Sequence, residues 1–348
     1  MEDGPAPEPA MERVFTAVAE DVPGPKWRDL FQRYWPAYRA WFLAEGSQAR
    51  PTYLACLRAL RRHMPELVPT WERLCELAGG GDVAARFLSF YGPPAYLSGC
   101  SQAVWPGDEP MLVRNYDYHP SAFDAVILAS NWSGKRRVLG TTDCLWGLVD
   151  GLNDAGLALS LTFGGRRVVG EGFGVPILLR YVLETCETAE EAGRVLARVP
   201  THMAYNVTAL DAKHRHITAY LSPDREPVIT HAVVATNHQE RVEWHGHARA
   251  TATVERERFL LQRLTLHDEP APKFIGAFLR PPIYSTAFAH GFGTLYTAVL
   301  RPRLSTVTYH WPRGSWPFAL GAFREGTRVV RYPTGGAAAL IMSDNPIA

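Results

Sequence analysis

Cys100 directly follows Gly99 at the point where a helical sequence pattern gives way to short β-type runs. A glycine carbonyl is open to attack, because the residue has no side chain and tolerates a strained backbone. The Cys100 thiol can therefore attack the Gly99 carbonyl, shift the acyl chain onto sulfur and let water release a new N-terminus. The alternative is a small buried hydrophobic residue, the usual state of a free cysteine.

Such a cut would create its own general base. The freed α-amino group of Cys100 would have a pKa of about 7.7–8.0, which suits a general base at neutral pH. A thiol that is activated by its own terminal amine needs no histidine. The sequence therefore predicts a nucleophile and a base on one residue.

Two charged residues follow in the segment "RNYD" at 114–117. Beside the sulfur, Arg114 would lower the pKa of the thiol, and Asp117 would hold the ammonium or the thiol by a charge-assisted hydrogen bond. The alternative is a surface ion pair that contributes little. Positions three apart on a regular strand point to opposite faces. Both side chains reach one site only if the strand ends, bends or bulges near Asp117.

Four segments, in chain order, resemble the N-terminal-nucleophile cysteine hydrolases. They are Gly99-Cys100, "RNYD", "GLNDAGLALSLTFGG" at 151–165 and "ATNH" at 235–238. The branch they resemble is peptidase family C45, which is named for acyl-coenzyme A:6-aminopenicillanate acyltransferase. Bile-salt hydrolases, penicillin V acylases and acid ceramidases are wider relatives. The resemblance spans roughly residues 30–340, including the helical segment before the cysteine.

The resemblance implies a role for several residues. Cys100 would be the nucleophile and, through its amine, the base, with Arg114 and Asp117 as electrostatic partners. Asn237 would donate its side-chain amide to the oxyanion, a contact whose removal typically costs about 2.7–4 kcal/mol of transition-state stabilisation. The alternative for Asn237 is a turn residue at the end of a strand.

A late arginine also recurs among these relatives, and Arg256 is a better match than Arg258. A solvated helix face is the alternative for both. In the bile-salt branch a second oxyanion asparagine follows the "GLN" strand, and here that place falls near Thr162 or Phe163. We expect the Thr162 hydroxyl or a backbone N–H to substitute for it.

Two further positions shape the predicted site. Asn153 is most simply a tight-turn residue between strands, so it would position the site without taking part in chemistry. Tyr116, Trp146 and Phe163 would line an acyl pocket, although aromatic residues near strands are more often plain core.

The elements that must position these residues follow from the sequence pattern. Residues 1 to about 25 are expected to form a flexible lead-in, and the rest of the first hundred residues is helical, with a kink or break near Pro36. Strands follow, then two helices, then more strands. This order predicts an α+β fold of four αββα layers, divided into a helical segment 1–99 and a catalytic core 100–348.

Composition excludes several classes of protein. The formal net charge is +1, so no nucleic-acid or membrane partner is expected. Five irregularly spaced cysteines predict neither a disulfide framework nor a zinc site. No histidine pattern predicts a metal, and no cofactor is expected. The acidic, Pro-rich N-terminus does not resemble a signal peptide, so we expect a cytoplasmic protein.

The sequence therefore predicts a self-cutting enzyme whose two chains stay together. It would hydrolyse a small acyl amide, or transfer its acyl group, through a thioester on Cys100. One alternative is an acyl-coenzyme A-dependent transferase, with an acyl thioester as substrate. A second is an uncut thiol enzyme with His119 or His231 as base, and a third is a non-catalytic binding protein.

Overall fold

A computed structural model describes residues 10–266, 269–288 and 291–333. The helices in these ranges are α1 Pro25–Phe42, α2 Tyr53–His63, α3 Val68–Leu77, α4 Asp82–Leu88, α5 Val175–Thr185, α6 Ala189–Arg198, α7 His245–Ala250, α8 Thr253–Leu264 and α9 Ala271–Phe278. The strands are β1 Ala10–Glu20, β2 Gly99–Trp105, β3 Met111–Tyr118, β4 Val126–Ser130, β5 Val138–Asp143, β6 Gly147–Asn153, β7 Leu157–Phe163, β8 Tyr205–Asp211, β9 His216–Leu221, β10 Val228–Thr230, β11 Val234–Ala235, β12 Gly293–Arg301, β13 Thr306–Trp311, β14 Gly314–Ala319 and β15 Gly326–Pro333.

The strands form two sheets. One has the order β10-β9-β8-β7-β6-β5-β4-β1-β15 and the other β11-β2-β3-β12-β13-β14. Neighbouring strands are antiparallel except β1 and β4, which are parallel. The sheets face each other where β2 and β3 meet β7.

Helices cover the outer face of each sheet. Helices α5 and α6 pack on the nine-stranded sheet, and α8 and α9 pack on β2 and β3 of the six-stranded sheet. Strands β6, β7 and β8 are buried along their whole length, as expected for strands that are covered on both faces. The layers run helix, sheet, sheet, helix, which confirms the predicted αββα fold.

The predicted flexible lead-in is wrong from Ala10 onward. Residues Ala10–Glu20 form β1, which lies inside the nine-stranded sheet between β4 and β15. Phe15 and Ala17 are buried while Val14 is half exposed, the alternation that a strand with one covered face requires. The segment 1–99 is therefore not purely helical, since it supplies a strand to the core.

Helix α1 is not broken at Pro36, because it continues from Pro25 to Phe42. Its buried stripe of Trp27, Leu30, Phe31 and Phe42 holds it to the core. This packing compensates for the hydrogen bond that a proline removes.

Three elements near the end of the chain were not predicted from the sequence. Helix α9 precedes the late strands that the sequence predicts, and β14 and β15 follow them.

Helices α1 to α4 pack on one another and contact the turn between β5 and β6 through two indole hydrogen bonds. Trp27 Nε1 donates to the Leu145 carbonyl at 3.2 Å, and Trp146 Nε1 donates to the Leu88 carbonyl at 3.1 Å. From α4, residues 93–98 run without regular structure to β2. In the part of the chain given above, no helix combines the length and the apolar character needed to cross a membrane.

Candidate active site

Cys100 is the second residue of β2 and is fully buried. The register between β2 and β3 places it opposite Tyr116, with Gly99 opposite Asp117. Gln102 lies opposite Arg114. Residues two apart on a strand share a face, so Cys100, Gln102 and Arg114 all face the nine-stranded sheet.

Arg114 contacts the sulfur directly. Its Nη2 donates to Cys100 Sγ at 3.3 Å, while Nη1 donates to Asp150 Oδ2 at 2.7 Å and Nε to the Leu161 carbonyl at 2.8 Å. The guanidinium carbon also lies 4.4 Å from the centre of the Tyr116 ring. With Arg114 fully buried, these contacts fix a cation against the thiol.

Burial raises the pKa of the Cys100 thiol, and the positive charge of Arg114 offsets this only in part. The negative charge of Asp117 adds to the increase. Ser98 Oγ lies 3.9 Å from Sγ. These effects together favour the protonated thiol, so attack by the sulfur would require that its proton be removed.

Asp117 lies on the opposite face of β3 from Arg114, as the strand period demands. Its Oδ2 accepts from Arg256 Nη1 at 3.2 Å, and its Oδ1 accepts from Thr294 Oγ1 at 2.7 Å. Burial raises the pKa of Asp117, while Arg256 and Thr294 counteract this. The register of β12 shifts between Thr294 and Tyr296, so the irregularity lies in the partner strand and not in β3.

Arg256 binds the backbone of Cys100. Its Nη1 donates to the Cys100 carbonyl at 2.9 Å and to Ser101 Oγ at 2.7 Å, and its Nη2 donates to Asn237 Oδ1 at 2.6 Å. Helix α8 buries Arg256 and leaves Arg258 exposed. Of the two candidate arginines, the fold thus brings Arg256 to the site.

The Asn237 amide also contacts the backbone of Cys100. Cys100 N donates to Asn237 Oδ1 at 3.1 Å, and Asn237 Nδ2 donates to the Phe163 carbonyl at 3.2 Å. The amide nitrogen that would serve the oxyanion therefore binds Phe163 in the uncut chain. An oxyanion role for Asn237 stays a prediction.

Two residues that the sequence reading missed position Asn237. Thr253 Oγ1 accepts from the Asn237 backbone N–H at 2.6 Å. Asn206 Nδ2 donates to the Thr236 carbonyl at 3.0 Å and to the His238 carbonyl at 2.9 Å. Neither residue has a local sequence signal, because the contacts join segments that are far apart in the chain.

The other predicted residues have defined structural roles. Thr162 Oγ1 donates to the Thr236 carbonyl at 2.6 Å, so its hydroxyl is already engaged. Asn153 Oδ1 accepts from the N–H groups of Ala155 and Leu157 at 3.1 and 3.0 Å, which places it in the turn between β6 and β7. Tyr116 lies beneath the Arg114 guanidinium.

No histidine is a hydrogen-bond partner of Cys100 Sγ among the residues that the structure describes. His119 Nδ1 lies 2.6 Å from Ser121 Oγ, and His231 Nδ1 lies 2.9 Å from the His216 carbonyl. Within the same described ranges, no three or more His, Cys, Asp or Glu side chains come together in a group that could hold a metal ion.

Comparison with known proteins gives one family match. The model of the family described as "Acyl-coenzyme A:6-aminopenicillanic acid acyl-transferase" matches residues 104–316, more than half of the chain. Among curated proteins, none matches this sequence.

Several solved structures are similar to this chain. A mutant of conjugated bile acid hydrolase from Clostridium perfringens is 13% identical (TM-score 0.40), and the match covers 66% of this chain and 96% of that one. Penicillin V acylase from Agrobacterium tumefaciens is 16% identical (TM-score 0.45; 68% and 92% covered). A Caenorhabditis elegans ortholog of N-acylethanolamine-hydrolyzing acid amidase is 14% identical (TM-score 0.43; 63% and 98% covered).

Proposed function

We propose, on the premise that this chain belongs to the acyl-coenzyme A:6-aminopenicillanic acid acyl-transferase family, that it is an amidohydrolase or acyltransferase with Cys100 as nucleophile. One observation carries the proposal. The Gly99–Cys100 junction lies between two buried arginines, with Arg114 on the sulfur and Arg256 on the Cys100 carbonyl.

The first reaction is a cut in the chain itself. Cys100 Sγ bonds to the Gly99 carbonyl carbon, the Gly99–Cys100 C–N bond breaks, and the thiol proton ends on the departing nitrogen. Water then hydrolyses the thioester, which leaves a Gly99 carboxyl group and a free Cys100 amine. A Cβ on residue 99 would lie 3.1 Å from Asp117 Cβ, so glycine suits this tight position.

The second reaction repeats the chemistry on a small linear amide. The free amine of Cys100 takes the thiol proton, Sγ attacks the substrate carbonyl, and the ammonium protonates the leaving nitrogen. Asn237 Oδ1, which accepts the Cys100 N–H in the uncut chain, is placed to accept from that ammonium. The thioester then goes to water or to an acceptor amine.

Hydrolysis and transfer differ only in whether water or an amine accepts the acyl group, because both use the same steps at Cys100. We favour hydrolysis. Transfer from an acyl-coenzyme A thioester is the alternative. Turnover of an amide with and without an added amine distinguishes them: only a transferase yields the new amide in proportion to the amine.

Strand β1 supports the expectation that the two chains stay together after the cut. It belongs to the segment before Gly99, yet it lies between β4 and β15. Because its removal would split the nine-stranded sheet, we propose that the mature protein is a complex of both chains.

Intact mass and N-terminal sequencing of the purified protein test the proposal. We expect wild type to yield one chain ending at Gly99 and one beginning Cys-Ser-Gln-Ala-Val, while Cys100→Ala stays whole. Cys144→Ala, which removes another buried thiol, is the matched control and should cut normally. A wild type that remains whole, or a Cys100→Ala variant with full activity, would contradict the mechanism. Loss of activity on replacing His119 or His231 would instead favour a Cys-His enzyme.

A further inference from the structure

Four aromatic side chains form a cluster beside the Gly99–Cys100 junction: Phe163, Trp244, His247 and Phe292. The His247 ring stacks on Trp244 with centroids 5.1 Å apart, and it meets the edges of Phe163 at 5.1 Å and Phe292 at 5.8 Å. Histidine is the one member with hydrogen-bonding nitrogens at both sides of its ring. We call this group the aromatic cluster.

His247 is an unusual residue for such a place. It is 5% exposed, and neither Nδ1 nor Nε2 has a hydrogen-bond partner among the described residues. Buried polar atoms in native proteins are nearly always paired, and an exception needs an explanation, such as a bound water, an ion or a ligand. A phenylalanine would fill the same space without that penalty.

The imidazole is neutral at physiological pH. Burial lowers the pKa of His247 to about 4, and the nearby positive charge of Arg256 adds to this. A neutral imidazole offers one N–H donor and one acceptor nitrogen. It therefore suits an uncharged polar group better than a carboxylate, which would need a cation.

The aromatic cluster borders the acyl side of the reaction. Gly99 is the acyl group that Cys100 accepts first, and a Cβ at Gly99 would lie 3.5 Å from Phe292 Cδ1. The backbone carbonyl of Phe163 accepts from Asn237 Nδ2, so this member of the cluster lies next to the residue that binds the Cys100 N–H. A substrate acyl group on Sγ would start from the position that Gly99 leaves.

We propose that the aromatic cluster binds the acyl group of the substrate and that His247 selects acyl groups with a planar ring carrying an uncharged hydrogen-bonding group, such as a phenol. This inference rests on the proposed function and adds the class of its substrate. In it the substrate hydroxyl donates to one His247 nitrogen or accepts from the other, which satisfies the buried imidazole.

Two 4-nitroanilides that differ in one hydroxyl test this: phenylacetyl 4-nitroanilide and 4-hydroxyphenylacetyl 4-nitroanilide. We expect kcat/KM of the self-cut wild type to be at least roughly tenfold higher for the hydroxylated substrate, since only that substrate gives the buried imidazole a hydrogen-bond partner. In His247→Phe this ratio should fall to near one. His247→Gln, which keeps a donor and an acceptor, should retain part of the preference.

His310→Phe is the control, because His310 is half-buried on β13 and outside the aromatic cluster; it should keep the wild-type ratio. A wild type that is self-cut and depends on Cys100, yet hydrolyses both anilides equally or neither, overturns this inference and leaves the proposed function standing. A ratio that is unchanged in His247→Phe overturns it as well. Failure of the proposed function is recognised separately, by a wild type that stays whole.

Discussion

Cys100 makes different contacts on the two faces of the sheet that contains β2 and β3. On the face toward the nine-stranded sheet, Arg114 is paired with Asp150 and donates to the Cys100 sulfur. On the face toward α8, Arg256 is paired with Asp117 and donates to the Cys100 carbonyl. We call these the thiol side and the backbone side.

The two ion pairs differ in the part of Cys100 that their arginine contacts. Both sides bury an Arg–Asp pair, yet buried pairs contribute little net stability, because desolvation offsets their attraction. The thiol side holds a positive charge against the Cys100 sulfur. The backbone side binds the Cys100 carbonyl and the Asn237 side chain, so the proposed function assigns the two similar ion pairs to different steps.

The largest expected effect comes from breaking the pair on the backbone side. Arg256→Met leaves Asp117 buried without a cation and removes the contacts to Cys100 and Asn237. We expect a loss of about 3–5 kcal/mol in unfolding free energy, together with loss of self-cleavage. Urea unfolding and intact mass measure the two effects.

The double variant Arg256→Met/Asp117→Leu is the control for that prediction. Replacing a buried ion pair by apolar residues is often neutral for stability, so most of the lost stability should return while self-cleavage stays absent. If the double variant cuts itself at the wild-type rate, the backbone side has no role in the reaction.

A smaller effect is expected from two buried histidines as pH falls. Burial lowers the pKa of His247 and of His202 to about 4. A group with a lowered pKa contributes stability that is complete above its unfolded pKa of about 6.5 and is lost as pH falls toward its folded value. Each histidine therefore removes up to about 3 kcal/mol from the unfolding free energy on full protonation.

His247→Phe and His202→Phe test this on either side of the site, since His247 lies near Arg256 and His202 packs on Tyr205 of β8. Urea unfolding at pH 7.5 and at pH 4.5 should show a smaller loss of stability in each variant than in wild type. Equal losses in wild type and a variant would mean that folding leaves the pKa of that histidine unshifted.

The smallest effect distinguishes two buried threonines. Thr253 Oγ1 accepts from the Asn237 N–H on the backbone side, while Thr208 Oγ1 accepts from Gln102 Nε2 at 2.8 Å between the sheets. We expect either threonine-to-valine change to cost about 1–3 kcal/mol of stability. Only Thr253→Val should slow self-cleavage, by roughly tenfold. Equal cleavage rates in the two valine variants would show that Thr253 does not position Asn237.

Much of the candidate site could be predicted because its residues lie in short segments with local sequence features. A glycine before a cysteine, an "RNYD" strand and a "TNH" segment are local features, and the period of a strand correctly separates Arg114 from Asp117. The turn at Asn153 is local in the same way. The family that these segments predict is confirmed by the match over residues 104–316.

Other features could not be read from the sequence. The acidic, Pro-rich first residues favour a flexible lead-in, although "VFTAVA" at 14–19 contains β-branched residues and a phenylalanine, types that favour strands. The place of that strand between β4 and β15 depends on partners more than a hundred residues away. Asp150, Thr253 and Asn206 have no special spacing to Cys100.

The sequence by itself determined which residues could do chemistry and the αββα order of the elements, because residue type and local periodicity act over a few positions. Only the tertiary structure decided which partners those residues have: Asp150 for Arg114, Arg256 for Asp117, and, among the described residues, none for the His247 nitrogens. Such pairings are set by how two sheets and their helices pack. Packing brings together residues whose spacing in the sequence follows no regular pattern.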